Sequence, residues 1–274
     1  MSVFEKIVYF LQRKMETPKL YGTWHIIALL LVIALTVFLV VKYRNAPDKS
    51  MRRILFAAWI IMVLLEIYKQ IVFSMSSADG ITAVWDFQWY AFPFQFCSTP
   101  LFALPFAAFL PEGKIRQAIM AFLSTFSLFA GLAVMIYPGD VFIDMIGINF
   151  QTMVHHGFQV ALGIFISAYY VRKHTLKTFA GGIAVFAVFC SVAMALNFAV
   201  HDVLKIEETF NMFYISPYYD CTLPILSIIY KAVPYFAFLL IYILGFSLVA
   251  ALFFGISKGI AAVCGKKKAC EVKS

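Results

Sequence analysis

The stretch TWHIIALLLVIALTVFLVVK, residues 23–42, decides the fold class. It carries no acidic or basic charge until Lys42. Its length matches the roughly 20 apolar residues that cross about 30 Å of hydrocarbon. It shows no alternation of apolar and polar residues, and a segment crossing lipid alone satisfies its own backbone only as a helix. Six more such runs follow, at about 54–74, 92–110, 115–137, 148–171, 178–200 and 231–256. The expectation is an all-α polytopic membrane protein, one domain of about seven transmembrane helices. Pro93, Pro100 and Pro105 make the third run the least regular.

Composition points the same way. Only 13% of the 274 residues are charged, about half the share in a soluble domain. The net charge of +8 does not imply nucleic acid, because Lys and Arg sit in short connections between apolar runs, as topology signals do. Five cysteines without metal-ligand spacing imply neither a disulfide framework nor a zinc site. The first run ends in Lys42 and Arg44 without a small-residue cleavage motif, so no cleavable signal is expected.

Orientation follows from the basic residues. Fifteen fall on one set of connections: Lys42 to Arg53, Lys114 and Arg116, Arg172 to Lys177, and the basic tail 258–274. The other side holds Lys205 and four in the N-terminal segment. The richer side is expected in the cytoplasm, with the N-terminus outside and the C-terminus inside. Residues 1–16 place Phe4, Ile7, Val8, Leu11 and Met15 at helical spacing, which reads as an interfacial amphipathic helix ended by Pro18.

The polar residues within the runs lie at one depth, in the outer half. Span two carries Glu66, Lys69 and Gln70 on one face, and span three meets Gln95 and Cys97 early. Thr152, His155, His156 and Gln159 form a stripe on span five, and span six ends with Asn197, His201 and Asp202. Such groups are costly in lipid and usually face a bundle interior or wet cavity. Plainer readings stand beside this one. Glu66 and Lys69 suit an ion pair near the interface, His201 and Asp202 suit boundary residues, and Cys97 suits packing or a disulfide to Cys221. Pro100 is expected to kink the helix beside Cys97 and free the carbonyl of Phe96. A thiol at that depth, level with a histidine pair, also suits a nucleophile with its base.

The stretch Phe92-Pro93-Phe94-Gln95-Phe96-Cys97-Ser98 and the run INFQTMVHHG, Ile148 to Gly157, resemble elements of the transmembrane-protein-164/YwaF-like family, and with the span layout the resemblance covers most of the chain. It implies cysteine-dependent acyl transfer on phospholipids. Cys97 would carry the acyl thioester, and His155 or His156 would act as base. The family often has His two residues before the cysteine; here Gln95 stands there, so base duty would rest on the span-five histidines.

The reading is an enzyme that transfers or cleaves lipid acyl chains in an outward-facing cavity. Cys97, His155 and His156 are its catalytic residues, with Gln95, Gln159 or Thr152 as oxyanion donors. The remaining polar residues named above support or bind substrate. This requires helices two, three, five and six to be neighbours. The alternative is a non-enzymatic transporter or receptor using the same polar band. A metal or haem site on His155, His156 and His201 is awkward, because adjacent helical residues point about 100° apart. No cofactor or metal is expected. Membrane lipids are the expected partners and a bacterial plasma membrane the expected location.

Overall fold

The computed structural model describes residues 2–76, 83–139, 141–171 and 173–271. Arg172, and the side chains of Cys264, Cys270 and the lysines near the C-terminus, lie outside the described residues. Helix α1, Val3–Leu11, is opened by a capping box in which Ser2 and Glu5 exchange hydrogen bonds. It stops at Leu11, well before Pro18. There Gln12 turns its amide inward to donate to the Val72 and Met75 carbonyls, at 2.9 and 2.6 Å. The chain then runs extended, with Lys14 bridged to Met145. Tertiary bonds therefore replace the second half of the expected 1–16 helix.

Among the described residues, five helices are long and apolar enough to cross a membrane: α2 (Thr23–Tyr43), α3 (Asp48–Ser74), Lys114–Ile136, Leu176–Val203 and Tyr235–Ile260. The third of these is α5 (Lys114–Phe122) and α6 (Leu128–Ile136), joined through a π turn at Leu123–Ser127. The expected third span is shorter than 92–110. It is a 3₁₀ turn, Phe96–Ser98, followed by α4, Pro100–Phe109. Pro100 opens α4 at its first position, where a missing N–H costs nothing within the helix, rather than kinking a helix already begun. Helix α7, Ile146–Tyr170, has span length, but its polar stripe sets it apart from the five. Helices α8 (Leu176–Phe198), α9 (Leu226–Ala232) and α10 (Tyr235–Glu271) complete the chain. A two-residue hairpin, β1 (Met75–Ser76) with β2 (Val84–Trp85), follows α3.

The most buried span is the α5–α6 helix. Its α5 half packs on α8 and its α6 half on α7, while α3 contacts both α4 and α7. Small residues set these distances. A Cβ added to Gly131 of α6 would lie 2.5 Å from Gln159 Cβ, and one on Gly182 of α8 would lie 3.1 Å from the Phe122 nitrogen. Close backbone approach at small residues is how helices associate where lipid removes the hydrophobic drive. By contrast α2 and α10 leave rows of aliphatic side chains outward, among them Leu30, Leu31, Leu244 and Leu248. A stack of aromatic rings fills the centre, with Phe126 and Phe186 4.6 Å apart and Phe96 edge-on to Phe246.

One end of the bundle is closed by charge. Arg116, fully buried, donates to the Ala107 carbonyl and pairs with Asp48 and Glu112, and Tyr170 joins the same cluster. Arg52 donates to the Ala108 carbonyl, and Lys258 to that of Val171. The basic connections after α2, α4 and α7 therefore meet at one end.

Candidate functional site

The site starts from a carbonyl. In the 3₁₀ turn the Ser98 N–H bonds the Gln95 carbonyl and the Thr99 N–H bonds that of Phe96. The next donor in that series would be residue 100, and proline has no N–H. The Cys97 carbonyl is thus the one left over, rather than that of Phe96 as the i−4 rule suggested. Helix α7 satisfies it twice, with His155 Nε2 at 3.0 Å and Gln159 Nε2 at 2.6 Å. The cysteine is thereby clamped against the polar face of α7.

Both histidine tautomers follow from their acceptors. A carbonyl only accepts, so His155 carries its hydrogen on Nε2. His156 carries its own on Nδ1, which lies 2.7 Å from the Thr152 carbonyl. In the neutral rings His155 Nδ1 and His156 Nε2 hold lone pairs, and both atoms are buried without a hydrogen-bond partner. The two rings sit 5.3 Å apart at 65°. On α3, Lys69 meets Glu66 Oε1 at 2.7 Å, and Gln70 donates to that oxygen and to the Ala91 carbonyl. Cys97 and both histidines lie within electrostatic reach of Lys69. The buried oxygens Glu66 Oε2, Gln70 Oε1 and Gln159 Oε1 likewise have no partner.

The structure therefore brings together Cys97, Thr152, His155, His156, Gln159, Glu66, Lys69 and Gln70. It leaves the other four elsewhere. Gln95 donates to the Asn211 carbonyl and accepts from the Phe213 N–H. Asn197 does the same with both backbone groups of Met212. These two amides pin the 205–225 connection over the aromatic stack, where Phe213 takes a positive φ of 60°. Past the end of α8 His201 is half-buried and Asp202 exposed, with the His201 ring stacked 3.5 Å from Tyr218 and bonded to Asp202. The helix bearing them packs mainly on α5 and meets the Cys97 turn through Phe186 against Phe96, while its polar residues bond elsewhere. Cys97, Cys190 and Cys221 are free thiols. Among the described residues no group of three His, Cys, Asp or Glu is placed to hold a metal ion.

A groove of about 610 Å³ opens between α3 and α4, lined by Trp59, Val63, Phe102 and Phe106 with Glu66 and Gln70 at its wall. Nothing in the residue pattern signals it, nor the charge cluster at the opposite end. In that cluster, burial raises the Glu112 carboxyl, but hydrogen bonds from Gln117 and Tyr170 and the Lys173 and Arg116 charges hold it below its usual range. Nearby His174, buried against Tyr170, is pushed down to about 4 by burial and by the Lys258 charge.

Residues 20–258 match the TMEM164 family. That span is most of the chain, so the protein belongs to this family. Comparisons with curated proteins and with solved structures gave no match.

Proposed function

We propose that this member of the TMEM164 family is a seven-span membrane enzyme, N-terminus outside, that transfers or cleaves lipid acyl chains through Cys97. The α7 clamp on the Cys97 carbonyl carries the reading. It fixes a free thiol beside a helix face on which His156 keeps an unpartnered nitrogen, its Nδ1 anchored by the Thr152 carbonyl. That is the arrangement of a base with its orienting group. Helices α4 and α7 supply the sixth and seventh crossings, because the basic connections gather at one end only if both cross. The α1 helix, with Phe4 and Ile7 exposed, lies in the interface.

In the first step the Cys97 thiol gives its proton to His156 Nε2, and sulfur bonds to the ester carbonyl carbon. The carbon–oxygen ester bond breaks, and the departing alkoxide takes the proton back from His156. An alcohol or water then attacks the thioester, giving its proton to His156, and the thiolate leaves and is reprotonated. His155 and Gln159 position the cysteine. Lys69 is the positive charge placed to favour the developing oxyanion. Gln95, expected as an oxyanion donor, serves instead to hold the 205–225 connection.

Purified protein incubated with phospholipid is expected to form a hydroxylamine-sensitive acyl adduct at Cys97. Cys97→Ala abolishes it, and His156→Gln slows it by about 10²-fold or more. A folded wild-type protein that never forms the adduct overturns the reading. Solute uptake lost in Glu66→Gln but retained in Cys97→Ala points to transport by the same polar band.

A further inference from the structure

We propose that the groove between α3 and α4 binds one hydrocarbon chain of a lipid alcohol, with the hydroxyl held at Glu66 and Gln70. On the acyl-transfer reading, on which this assignment rests, that hydroxyl is the acyl acceptor.

The groove fits a chain by shape. Its α3 wall uses one helical face, from Trp59 through Val63, Glu66 and Gln70 to Ile71. Twelve residue steps give a length of about 18 Å, close to the ~15 Å thickness of one leaflet of the hydrocarbon core. The α4 wall is apolar, and Pro105 within it presents ring carbons rather than a donor. Ile67 and Phe106 are more than half exposed on the rim, so the groove opens sideways toward lipid. A chain reaches it from the membrane without passing through water.

The polar end is fixed by what its wall lacks. Glu66 is 6% exposed, and its Oε1 already receives Lys69 and Gln70. Among the described residues its Oε2 and Gln70 Oε1 have no partner. Both are acceptors, and a buried acceptor left without a donor is destabilising. Lys69 already balances the Glu66 charge, so a second cation is not called for. A carboxylate head would bring repulsion and no donor. A hydroxyl supplies the missing hydrogen without charge. Glu66 also lies within electrostatic reach of Cys97 and His156, on the helix that packs against both α4 and α7.

Trp59 lines the groove, and its Nε1 is tied to the Leu101 carbonyl, so it reports occupancy from a fixed position. The experiment uses the full chain carrying Cys97→Ala, in nanodiscs, so that binding is read without thioester chemistry. The probe is a long-chain alcohol brominated at mid-chain, compared with the carboxylate and the hydrocarbon of equal length. The alcohol is expected to give a saturable quenching of tryptophan fluorescence that Trp59→Phe combined with Trp85→Phe, the two tryptophans lining the groove, removes. The carboxylate and hydrocarbon bind about ten-fold or more weaker. Val63→Phe, which fills the groove, abolishes the saturable component. Ile67→Phe on the exposed rim gives a second obstruction should Val63→Phe fail to fold. Equal binding of all three probes, or a saturable component that survives the Trp59→Phe/Trp85→Phe double substitution, overturns the assignment. Binding as expected in a protein whose wild type never forms an acyl adduct leaves the groove and removes the acyl-transfer reading instead.

Discussion

Gly131→Ala tests the packing that holds the site, without substituting any residue in it. The added Cβ would lie 2.5 Å from Gln159 Cβ, 2.8 Å from the His156 carbonyl oxygen and 3.2 Å from the Val160 nitrogen. Ordinary contact begins at 3.4 Å, so α6 and α7 must separate by about 1 Å in a close-packed interior. Two of the three atoms are backbone and cannot swing away, and such overpacking costs about 1–3 kcal/mol. The displacement falls on the turn of α7 that carries Gln159, which holds the Cys97 carbonyl at 2.6 Å. A shift of about 1 Å takes that hydrogen bond to the edge of its range, and a misplacement of this size can cost about 10²-fold in rate. Thermal unfolding of the purified variant should show a lowered Tm. The rates of acyl-adduct formation and of Cys97 alkylation by a thiol reagent should both change. Gly245→Ala, with nothing within 4 Å of its added Cβ, is the matched control and should behave as wild type. If Gly131→Ala keeps the wild-type Tm and both rates, the clamp is not set by this contact and the reasoning fails.

The charged end of the bundle gives two further outcomes. Arg116→Met removes the buried partner of Asp48 and Glu112, which keep Arg52 and Lys173, and should destabilise by about 1–3 kcal/mol, read as a fall in Tm that Arg116→Lys only partly restores, since the Ala107 contact needs the guanidinium fork. His174 is held neutral down to about 4, so the unfolded chain binds its proton first as pH falls. Its contribution is therefore intact above pH ~6.5 and lost progressively toward pH 4, up to about 3 kcal/mol. Unfolding measured across that window should show a shallower acid loss in His174→Phe; an identical slope would mean that the titrating group is another.

How much of this was legible in the sequence differs from residue to residue, for a physical reason in each case. The polar stripe of α7 was legible because helical spacing alone puts Thr152, His155, His156 and Gln159 on one side. That this stripe would meet Cys97 and the Glu66 face required α3, α4 and α7 to be neighbours, which no local pattern encodes. Asn197, Gln95 and the site residues share a depth, yet depth fixes only one coordinate. Asn197 and Gln95 turned instead to backbone groups of the 205–225 connection, whose return over the bundle is invisible from spacing. Arg116 shows the complementary limit. Counting it as a topology charge treats it as solvated, whereas a connection of four residues after α4 leaves it no path outward and folds it into the core.

The carbonyl of Cys97 shows what the sequence did hold. A proline at position 100 was read as a kink, which looks backward four residues to Phe96. The chain resolves the same proline as a start, and the donor then missing is three residues back, at Cys97. In lipid such a carbonyl cannot be left to water, so the fold must deliver donors from another helix, and only His155 and Gln159 do so. The cost of starting a helix with proline in the membrane is thus met by the very groups that position the thiol. The clamp that holds the start of α4 and the clamp that orients Cys97 are the same two hydrogen bonds, which is why loss of stability and loss of reactivity should travel together at this site.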